Sequence, residues 1–256
     1  MFSMKNEQIK EVIERLIHVE GKIDRIETTI GSNCEVDNGK SKFLKSYSQN
    51  GEDVLIYHLF EKMGIKKPSY IDIGAHHPYE ISNTALFHEL GGAGINIEAN
   101  PNLFDAFLVE RSEDKNICCG CGATRGLMSF YMIDERSGRN SFIKENVETF
   151  VRQNPQFKIS EVRDIEIKTL DDIIAECGIG NGEIADYMSI DIEGMEYEVL
   201  SNFDMKKRGP KVLTLEIMKN DVKKCKQMED YLESVDYTLW CQTGTNYTYI
   251  KRKLLV

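Results

Sequence analysis

Tyr70-Ile-Asp-Ile-Gly-Ala-His76 is a short, mostly apolar run that closes on a single glycine. A β-branched run bounded by a turn glycine predicts a buried strand that ends in a tight turn. Strand and helix patterns alternate outward from this segment, which predicts an α/β fold with a parallel, doubly wound sheet. The predicted strands are 70–75, 94–99, 116–120, 127–133, 162–168, 187–192, 212–218, 238–242 and 247–251, and the predicted helices are 52–63, 82–90, 101–111, 170–177, 196–203 and 222–235.

The last two predicted strands flank Thr243-Gly-Thr-Asn246, a short connection with the residue types of a hairpin turn. A final hairpin resembles the end of the Rossmann-like sheet of class I methyltransferases, whose edge contains one antiparallel strand. That resemblance implies a seven-stranded, doubly wound sheet with the last strand antiparallel. The length of 256 residues leaves room for one such domain and a terminal segment.

Two interleaved apolar series recur every seven residues near the N-terminus, Ile9, Leu16, Ile23 and Ile30 in one and Val12, Val19 and Ile26 in the other. Such a heptad predicts a coiled coil, and with it a homo-oligomer assembled through an N-terminal helix. The alternative is a helix that lies on its own domain, because Ile13 and Ile17 widen the apolar stripe. Glycines and small polar residues then predict a linker. We expect a helix at 1–30, a linker at 31–42 and a globular domain at 43–256.

The chain carries a formal net charge of −10 at pH 7. Affinity for nucleic acid comes mainly from lysine and arginine that neutralise phosphates, so this charge disfavours a DNA or RNA partner. No run of about 18 apolar residues predicts a membrane span, and the N-terminus lacks the apolar core of a signal peptide. We therefore expect a cytoplasmic protein.

Seven cysteines, an odd number, are scattered along the chain, which predicts reduced thiols rather than a disulfide framework. Cys118-Cys-Gly-Cys121 has a spacing that zinc sites use, but no second pair of ligands stands at the matching distance. Because the segment also fits the end of a predicted strand, a place in the strand core is the favoured interpretation.

The polar residues at the carboxyl ends of the predicted strands are mostly acids, Asp72, Glu98, Asp191 and Glu216. In an open parallel sheet, ligands bind at these ends. Asp72 and Glu98 are 26 residues apart, close to the spacing at which an acid on the second strand accepts hydrogen bonds from the ribose of a nucleotide. For each acid taken alone, the alternative is a cap on the next helix.

The turn after the first strand has one glycine, Gly74, before Ala75-His-His-Pro78. A dinucleotide such as NAD needs the pattern G-x-G-x-x-G, whose backbone amides approach a pyrophosphate. S-adenosylmethionine has no phosphate and carries an ammonium and a sulfonium, so an acidic rim and a single glycine fit it better. An NAD-type oxidoreductase on the same fold is the alternative enzyme.

Five segments form the most specific pattern in the chain, Tyr47-Ser-Gln-Asn-Gly-Glu-Asp53, Tyr70-Ile-Asp-Ile-Gly-Ala75, Gly94-Ile-Asn-Ile-Glu-Ala-Asn-Pro101, Thr169-Leu-Asp-Asp172 and Ser189-Ile-Asp-Ile-Glu-Gly-Met-Glu196. In this order they resemble the FkbM-type S-adenosylmethionine-dependent methyltransferases, from about residue 47 to residue 216. The resemblance implies O-methylation, often in clusters that decorate polysaccharides, lipids or secondary metabolites. It does not extend to the N-terminal heptad.

The same resemblance implies where the cofactor binds. Its methionine end is expected at the turn after the first strand, its ribose and the adenosine rim after the second, its adenine after the third, and the transferred methyl at the fourth core strand. The residues implied for these contacts, in that order, are Asp72, Gly74 and Ala75, then Glu98, Ala99 and Asn100, then Cys121 and Gly122, then Ser189 and Asp191.

Methyl transfer to a hydroxyl needs the acceptor oxygen in line with the sulfonium, and it needs a base or a metal to activate that oxygen. The candidate catalytic residues are Asp191, His76 and Glu193. Asp191 and Glu216 end adjacent strands, as do the ligands of a divalent cation in catechol-type methyltransferases, and oxygen ligands favour Mg²⁺ or Mn²⁺. The alternative for Glu193 is an acid in the first turn of a helix, and for His76 a backbone hydrogen bond in its loop.

Glu52 and Asp53 open a predicted helix, either as first-turn acids or as residues that close the site. The polar stretch 134–159 is expected to line the acceptor pocket. These features predict an O-methyltransferase acting on an oxygen of a carbohydrate-linked or phosphorylated small molecule, in capsule or related surface-polysaccharide biosynthesis. A non-enzymatic oligomeric scaffold that retains the fold is the remaining alternative.

Overall fold

The computed structural model describes residues 44–180, 182–217 and 222–254. The predicted N-terminal helix and linker lie outside these residues. The strands within them are β1 (Tyr70–Ile73), β2 (Gly94–Ile97), β3 (Lys115–Ile117), β4 (Gly120–Cys121), β5 (Gly126–Met132), β6 (Glu161–Lys168), β7 (Tyr187–Ile190), β8 (Val212–Glu216), β9 (Tyr237–Thr243) and β10 (Asn246–Lys251). The helices are α1 (Glu52–Lys62), α2 (Ala85–Glu89), α3 (Pro101–Glu110), α4 (Lys144–Gln153), α5 (Leu170–Glu176), α6 (Glu196–Ser201), α7 (Met205–Arg208) and α8 (Val222–Ser234), followed by a 3₁₀ turn at Arg252–Leu254.

Seven strands form one sheet in the order β3-β2-β1-β7-β8-β10-β9. β1 pairs in parallel with β2 and β7, and β7 pairs in parallel with β8. β10 runs antiparallel to both of its neighbours, β8 and β9. The turn between β9 and β10 contains Gly244 with φ +58°, a left-handed conformation that glycine adopts at little cost. The predicted fold class is confirmed, since this is the doubly wound, Rossmann-like sheet of class I methyltransferases with its last strand antiparallel.

The chain reverses its direction of travel across the sheet at β1, because β2 and β3 follow on one side and β7 and β8 on the other. At such a switch point the two connections leave in opposite directions and open a crevice at the carboxyl ends of the strands. Asp72 on β1 lies between Asn96 on β2 and Ser189 on β7 in the strand register. The strand ends singled out by the sequence therefore meet at one place.

The prediction of one continuous strand at 116–120 is wrong, because this segment contributes to two strands. β3 ends at Ile117 on the edge of the large sheet, and β4 then joins a separate sheet of order β4-β6-β5. A Cβ at Gly120 would lie 2.4 Å from a methyl of Ile167 and 2.7 Å from the Phe142 ring, so any larger residue here would require these two side chains to move. Alternation of residue types does not reveal that a strand changes sheets. The expected antiparallel excursion 127–133 is confirmed as β5.

Helix α4 lies inside the stretch 134–159, where the sequence predicted no regular structure. Its buried surface is small, because Val147 is its only fully buried residue. The Phe150 ring packs against Phe157 beyond the helix, with ring centroids 5.4 Å apart. Because so few apolar residues hold α4, its sequence resembles that of a polar loop.

The sheet is buried on both faces. One core layer is built from strand residues that are 0–1% exposed, Ile71, Ile73, Ile97, Met188, Ile190, Leu213 and Leu215. The other layer packs Phe60 of α1 and Phe87 of α2 against Tyr187 of β7. Among the described residues, no helix combines the length and the apolar character needed to cross a membrane.

Candidate active site

A cavity of about 370 Å³ opens at the carboxyl ends of β1, β2, β7 and β8. This volume lies in the range of small-molecule sites. Its lining includes every predicted cofactor, catalytic and metal residue except Gly122, namely Asp72, Gly74, Ala75, His76, Glu98, Ala99, Asn100, Cys121, Ser189, Asp191, Glu193 and Glu216. We call it the strand-end cavity.

Gly122 does not line the strand-end cavity. A Cβ at this position would lie 2.7 Å from a methyl of Ile167, so the glycine allows β4 to pack against β6. Cys121 does reach the cavity, and burial raises the pKa of its thiol to about 12. Cys119 is also buried, and its pKa is likewise raised by burial to about 12. Both side chains belong to the main apolar core, as the strand-core interpretation predicts.

Gly74 brings the turn after β1 into contact with the turn after β7. Its φ is +78°, and a Cβ built on it would lie 1.8 Å from the backbone oxygen of Asp191. The Asp191 amide also donates to Ile73 O at 2.9 Å. Only glycine combines this left-handed backbone with so close an approach, so Gly74 fixes the distance between the two turns.

The backbone amides of the β1 turn are already used within the protein. Gly74 N and Ala75 N both donate to Ile97 O, at 2.9 and 3.1 Å. His76 N donates to Glu98 Oε2 at 2.7 Å. A pyrophosphate is bound by free amides of such a turn. This turn therefore lacks the cradle that a dinucleotide requires.

Glu98 is 7% exposed and joins the ends of β1 and β2. Its Oε2 accepts from His76 N, and its Oε1 accepts from Asn100 N at 2.6 Å. Burial raises the pKa of this carboxyl, and the two amide hydrogen bonds oppose that rise. A carboxylate has about four acceptor positions, so Glu98 can accept from two further hydroxyls.

Asp72 is held by a buried network that the sequence did not reveal. Thr84 Oγ1 donates to Asp72 Oδ2 at 2.6 Å, and the guanidinium of Arg111 donates to Thr84 Oγ1 at 2.8 Å. Arg111 is fully buried and also donates to Asn96 Oδ1 and Ser82 Oγ, both at 3.1 Å. Burial raises the pKa of Asp72, while the Thr84 hydrogen bond and the Arg111 charge oppose the rise.

Arg111→Met is expected to destabilise the protein by about 3–5 kcal/mol, because the change leaves buried polar groups without their cationic donor. Thermal and urea unfolding measure this loss. Arg152→Met is the matched control, since Arg152 is exposed on α4, and its effect should stay within about 0.5 kcal/mol. Equal unfolding free energies for the two variants would show that the Arg111 network does not stabilise the site.

Three acids cluster at the ends of β7 and β8. One carboxylate oxygen from each of Asp191, Glu193 and Glu216 lies within 4.8 Å of the others. Burial, followed by the charges of Glu216 and Glu193, raises the pKa of Asp191 well above its ordinary range. Burial also raises the pKa of Glu193, to about 7, against the opposing charge of Arg139. Although protein surrounds Asp191 closely enough to raise its pKa, its side chain is solvent-exposed in the strand-end cavity, so these groups can share a proton or bind a cation.

The His76 ring contacts backbone, as the non-catalytic alternative for this loop histidine predicts, but its partner lies in the loop after β5. The His76 ring Nε2 lies 3.0 Å from Arg136 O, and a proton on Nε2 would leave Nδ1 as its only basic nitrogen. The neighbouring His77 accepts at Nδ1 from the amides of Tyr79 and Glu80, at 3.2 and 3.0 Å. His76 lines the strand-end cavity, and His77 does not.

Glu52 and Asp53 are fully buried and do not line the strand-end cavity. Asp53 Oδ2 accepts from Tyr47 N at 2.7 Å, and Glu52 Oε2 accepts from Asn50 N at 2.9 Å. These acids shape the segment before α1, from which Gln49 reaches the cavity. Within this motif the residue that lines the cavity is therefore Gln49 and not one of the acids.

Backbone strain marks the same cavity. The non-glycine residues with positive φ in the described part of the chain are His76, Ile81, Glu193 and Asp236. The first three line the strand-end cavity. Strained backbone often occurs at functional sites, and the strain at Ile81 could not be read from its residue type.

A second cavity, of about 690 Å³, lies between α4, α6 and α8. It shares Arg139, Glu193 and Glu216 with the strand-end cavity. Residues 136–142 line the strand-end cavity, whereas the lining residues from α4 and its C-terminal end face the second. The stretch 134–159 is thus divided between two cavities.

Comparison with known proteins gives a family match. The profile of the methyltransferase FkbM domain matches residues 72–239. No curated protein matches the chain. Among solved structures, a Pyrococcus horikoshii protein provisionally assigned as an RNA methyltransferase aligns at 9% identity and TM-score 0.39, covering 85% of this chain and 91% of its own. The precorrin-6y C5,15-methyltransferase of Geobacter metallireducens aligns at 14% identity and TM-score 0.35, covering 85% and 94%.

Proposed function

We propose that this chain, which belongs to the methyltransferase FkbM domain family, is an S-adenosylmethionine-dependent O-methyltransferase. The acceptor we propose is an oxygen of a carbohydrate-linked or phosphorylated small molecule. A role in surface-polysaccharide or related biosynthesis is supported by the family resemblance of the sequence motifs.

The hydrogen bonds made by the backbone amides of the β1 turn are the main support for S-adenosylmethionine as the cofactor. The first three amides of this turn are bonded to Ile97 O and Glu98 Oε2, so they are not available to a pyrophosphate. Glu98 retains acceptor positions for ribose hydroxyls. The strand-end cavity is rich in carboxylates, which favours a ligand that carries positive charge. These features fit S-adenosylmethionine and disfavour NAD.

In this proposal the residues of the strand-end cavity divide the work of binding. Asp72 and the Gly74 turn bind the methionine end, Glu98 binds the ribose, and Cys121 borders the adenine. When bound, S-adenosylmethionine supplies an electrophilic methyl group on a sulfonium. The protein contributes by excluding water and by holding an acceptor oxygen in line with that methyl.

The acid cluster would bind a divalent cation through Asp191, Glu193 and Glu216. Three clustered carboxylate oxygens are donors that Mg²⁺ and Mn²⁺ prefer. Such a cation would orient the acceptor and lower the pKa of its hydroxyl. Without a cation, the cluster can retain a proton, since the pKa of Asp191 and that of Glu193 are both raised.

Isotope-labelled methyl transfer tests both the reaction and the metal. A panel of neutral, acidic and phosphorylated glycosides is offered to the full-length protein with labelled S-adenosylmethionine. We expect chelator to abolish labelling and Mn²⁺ or Mg²⁺ to restore it. Because Glu193 with a pKa of about 7 must lose its proton to bind the cation, Mn²⁺ affinity should rise as the pH rises through about 7. Labelling that survives removal of divalent cations would contradict a metal requirement. A labelled methyl group found on a nitrogen of the product would contradict O-methylation.

A further inference from the structure

Gln49 occupies an unusual position, because neighbouring residues fix its backbone while its side chain stays unbound. Ser48 Oγ donates to Asp53 Oδ1 at 2.8 Å, and Asn50 N donates to Glu52 Oε2 at 2.9 Å. Gln49 lies between these anchors and faces the strand-end cavity. Among residues 44–180, 182–217 and 222–254, its amide has no hydrogen-bond partner.

A continuous set of contacts ties the Gln49 segment to the acid cluster. Asn246 on β10 lies opposite Glu216 on β8 in the strand register, and Asn246 Nδ2 donates to Glu52 Oε1. Glu216 itself accepts from Thr245 Oγ1 at 2.8 Å. The buried carboxylate of Glu52 therefore holds the segment over the end of β8.

The loop after β1 joins the same surface. Ser82 N donates to Tyr47 O at 3.0 Å, which ties the loop to the Gln49 segment. Asn83 Nδ2 donates to Ser189 Oγ at 3.0 Å, at the carboxyl end of β7. Ile81, which directly precedes these two residues, is 63% exposed and has φ +54°. Strained backbone clusters at ligand-binding sites, so an exposed β-branched side chain at this cavity is a candidate ligand contact.

We infer that Gln49, Ile81 and Asn83 form the acceptor subsite of the strand-end cavity, with Gln49 as the residue that binds the acceptor. This inference rests on the proposed function. The unpaired side-chain amide of Gln49 can both donate hydrogen bonds to hydroxyls and accept hydrogen bonds from them. The exposed aliphatic side chain of Ile81 can cover the apolar C–H face of a sugar ring. The three side chains carry no charge, so this part of the cavity offers no cationic partner to an anionic group, whereas Arg136 and Arg139 line another part of it. The ring that carries the acceptor hydroxyl is therefore an uncharged sugar or related polyol.

Gln49→Ala tests this subsite without disturbing the fold, because the Gln49 side chain is exposed and makes no bond to the described residues. Gln153→Ala is the matched control, since Gln153 is an exposed glutamine that lines the second cavity. Saturation-transfer NMR measures the binding of the methyl glycosides of glucose, galactose, mannose and fucose, with and without S-adenosylhomocysteine. The methyl glycoside of glucuronic acid is the anionic comparison.

We expect at least one neutral glycoside to bind, and Gln49→Ala to raise its dissociation constant at least about tenfold, with less than about twofold change in Gln153→Ala. The inference would be overturned if glycoside binding survived Gln49→Ala or was lost in Gln153→Ala. Equally strong binding of the glucuronide, or no binding of any neutral glycoside, would also overturn it. Calorimetry with S-adenosylhomocysteine on the same samples separates the two proposals. If the wild-type protein does not bind S-adenosylhomocysteine, the result counts against the proposed function. If it binds S-adenosylhomocysteine but no glycoside, the result counts against the subsite alone.

Discussion

Asp191→Asn is expected to lower kcat for methyl transfer by about a thousandfold while leaving the protein folded. The asparagine has nearly the same shape but cannot supply the negative charge that binds a cation or accepts a proton. Removing one of three mutually repelling acids also relieves the interaction that raises the pKa of Asp191. The unfolding temperature should therefore stay the same or rise, which separates a catalytic loss from a structural one.

Single-turnover transfer of a labelled methyl group to the best acceptor of the glycoside panel measures the effect of Asp191→Asn. Asp230→Asn is the control, because Asp230 is more than half exposed on α8. It should retain wild-type rates. A rate for Asp191→Asn within about threefold of the control, less than 1 kcal/mol in activation free energy, would remove Asp191 from the reacting centre.

Gly74→Ala is expected to cost about 3 kcal/mol or more of folding stability. Left-handed backbone costs an alanine about 1–2 kcal/mol, and the new Cβ would also press against the Asp191 backbone oxygen. For a domain of this size, 3 kcal/mol lowers the unfolding temperature by about 6–12 °C. Because the contact joins the turns after β1 and β7, S-adenosylmethionine affinity should fall at least about tenfold.

Gly178→Ala separates the two causes of the Gly74 effect. Gly178 has φ +71°, yet a Cβ built on it meets nothing within 4 Å. This control should lose only the conformational part, about 1 kcal/mol, and retain full cofactor affinity. Equal losses in the two variants, measured by thermal unfolding and calorimetry, would mean that the close approach to Asp191 is unimportant.

The sequence predicted the parts of the site that follow from topology. In a parallel sheet the residue that ends an apolar run must lie at the ligand-binding edge, so Asp72, Glu98 and Asp191 could be placed together without a structure. The single glycine of the β1 turn could also be read as unsuitable for a pyrophosphate. The structure adds the reason, because the amides of this turn are bonded to Ile97 O and Glu98 Oε2.

Other features depend on contacts that residue types do not encode. Arg111 ends a helical pattern and resembles a surface residue, yet it is fully buried beside Thr84. Ile81 reads as an ordinary apolar loop residue, because backbone strain has no signature in composition. Gln49 lies in the same sequence motif as Glu52 and Asp53, and its uncharged residue type does not mark it as a site residue. Burial reverses their roles, since the acids are enclosed and the neutral glutamine faces the cavity.

Calorimetric titration of the full-length protein, with S-adenosylmethionine and separately with NAD, tests the choice of cofactor most directly. We expect saturable binding of one S-adenosylmethionine per chain and none of NAD. Glu98→Gln should weaken the binding at least about tenfold, a loss of about 1.4 kcal/mol, because it removes charged acceptors for the ribose hydroxyls. Saturable binding of NAD in the absence of S-adenosylmethionine binding would contradict the account.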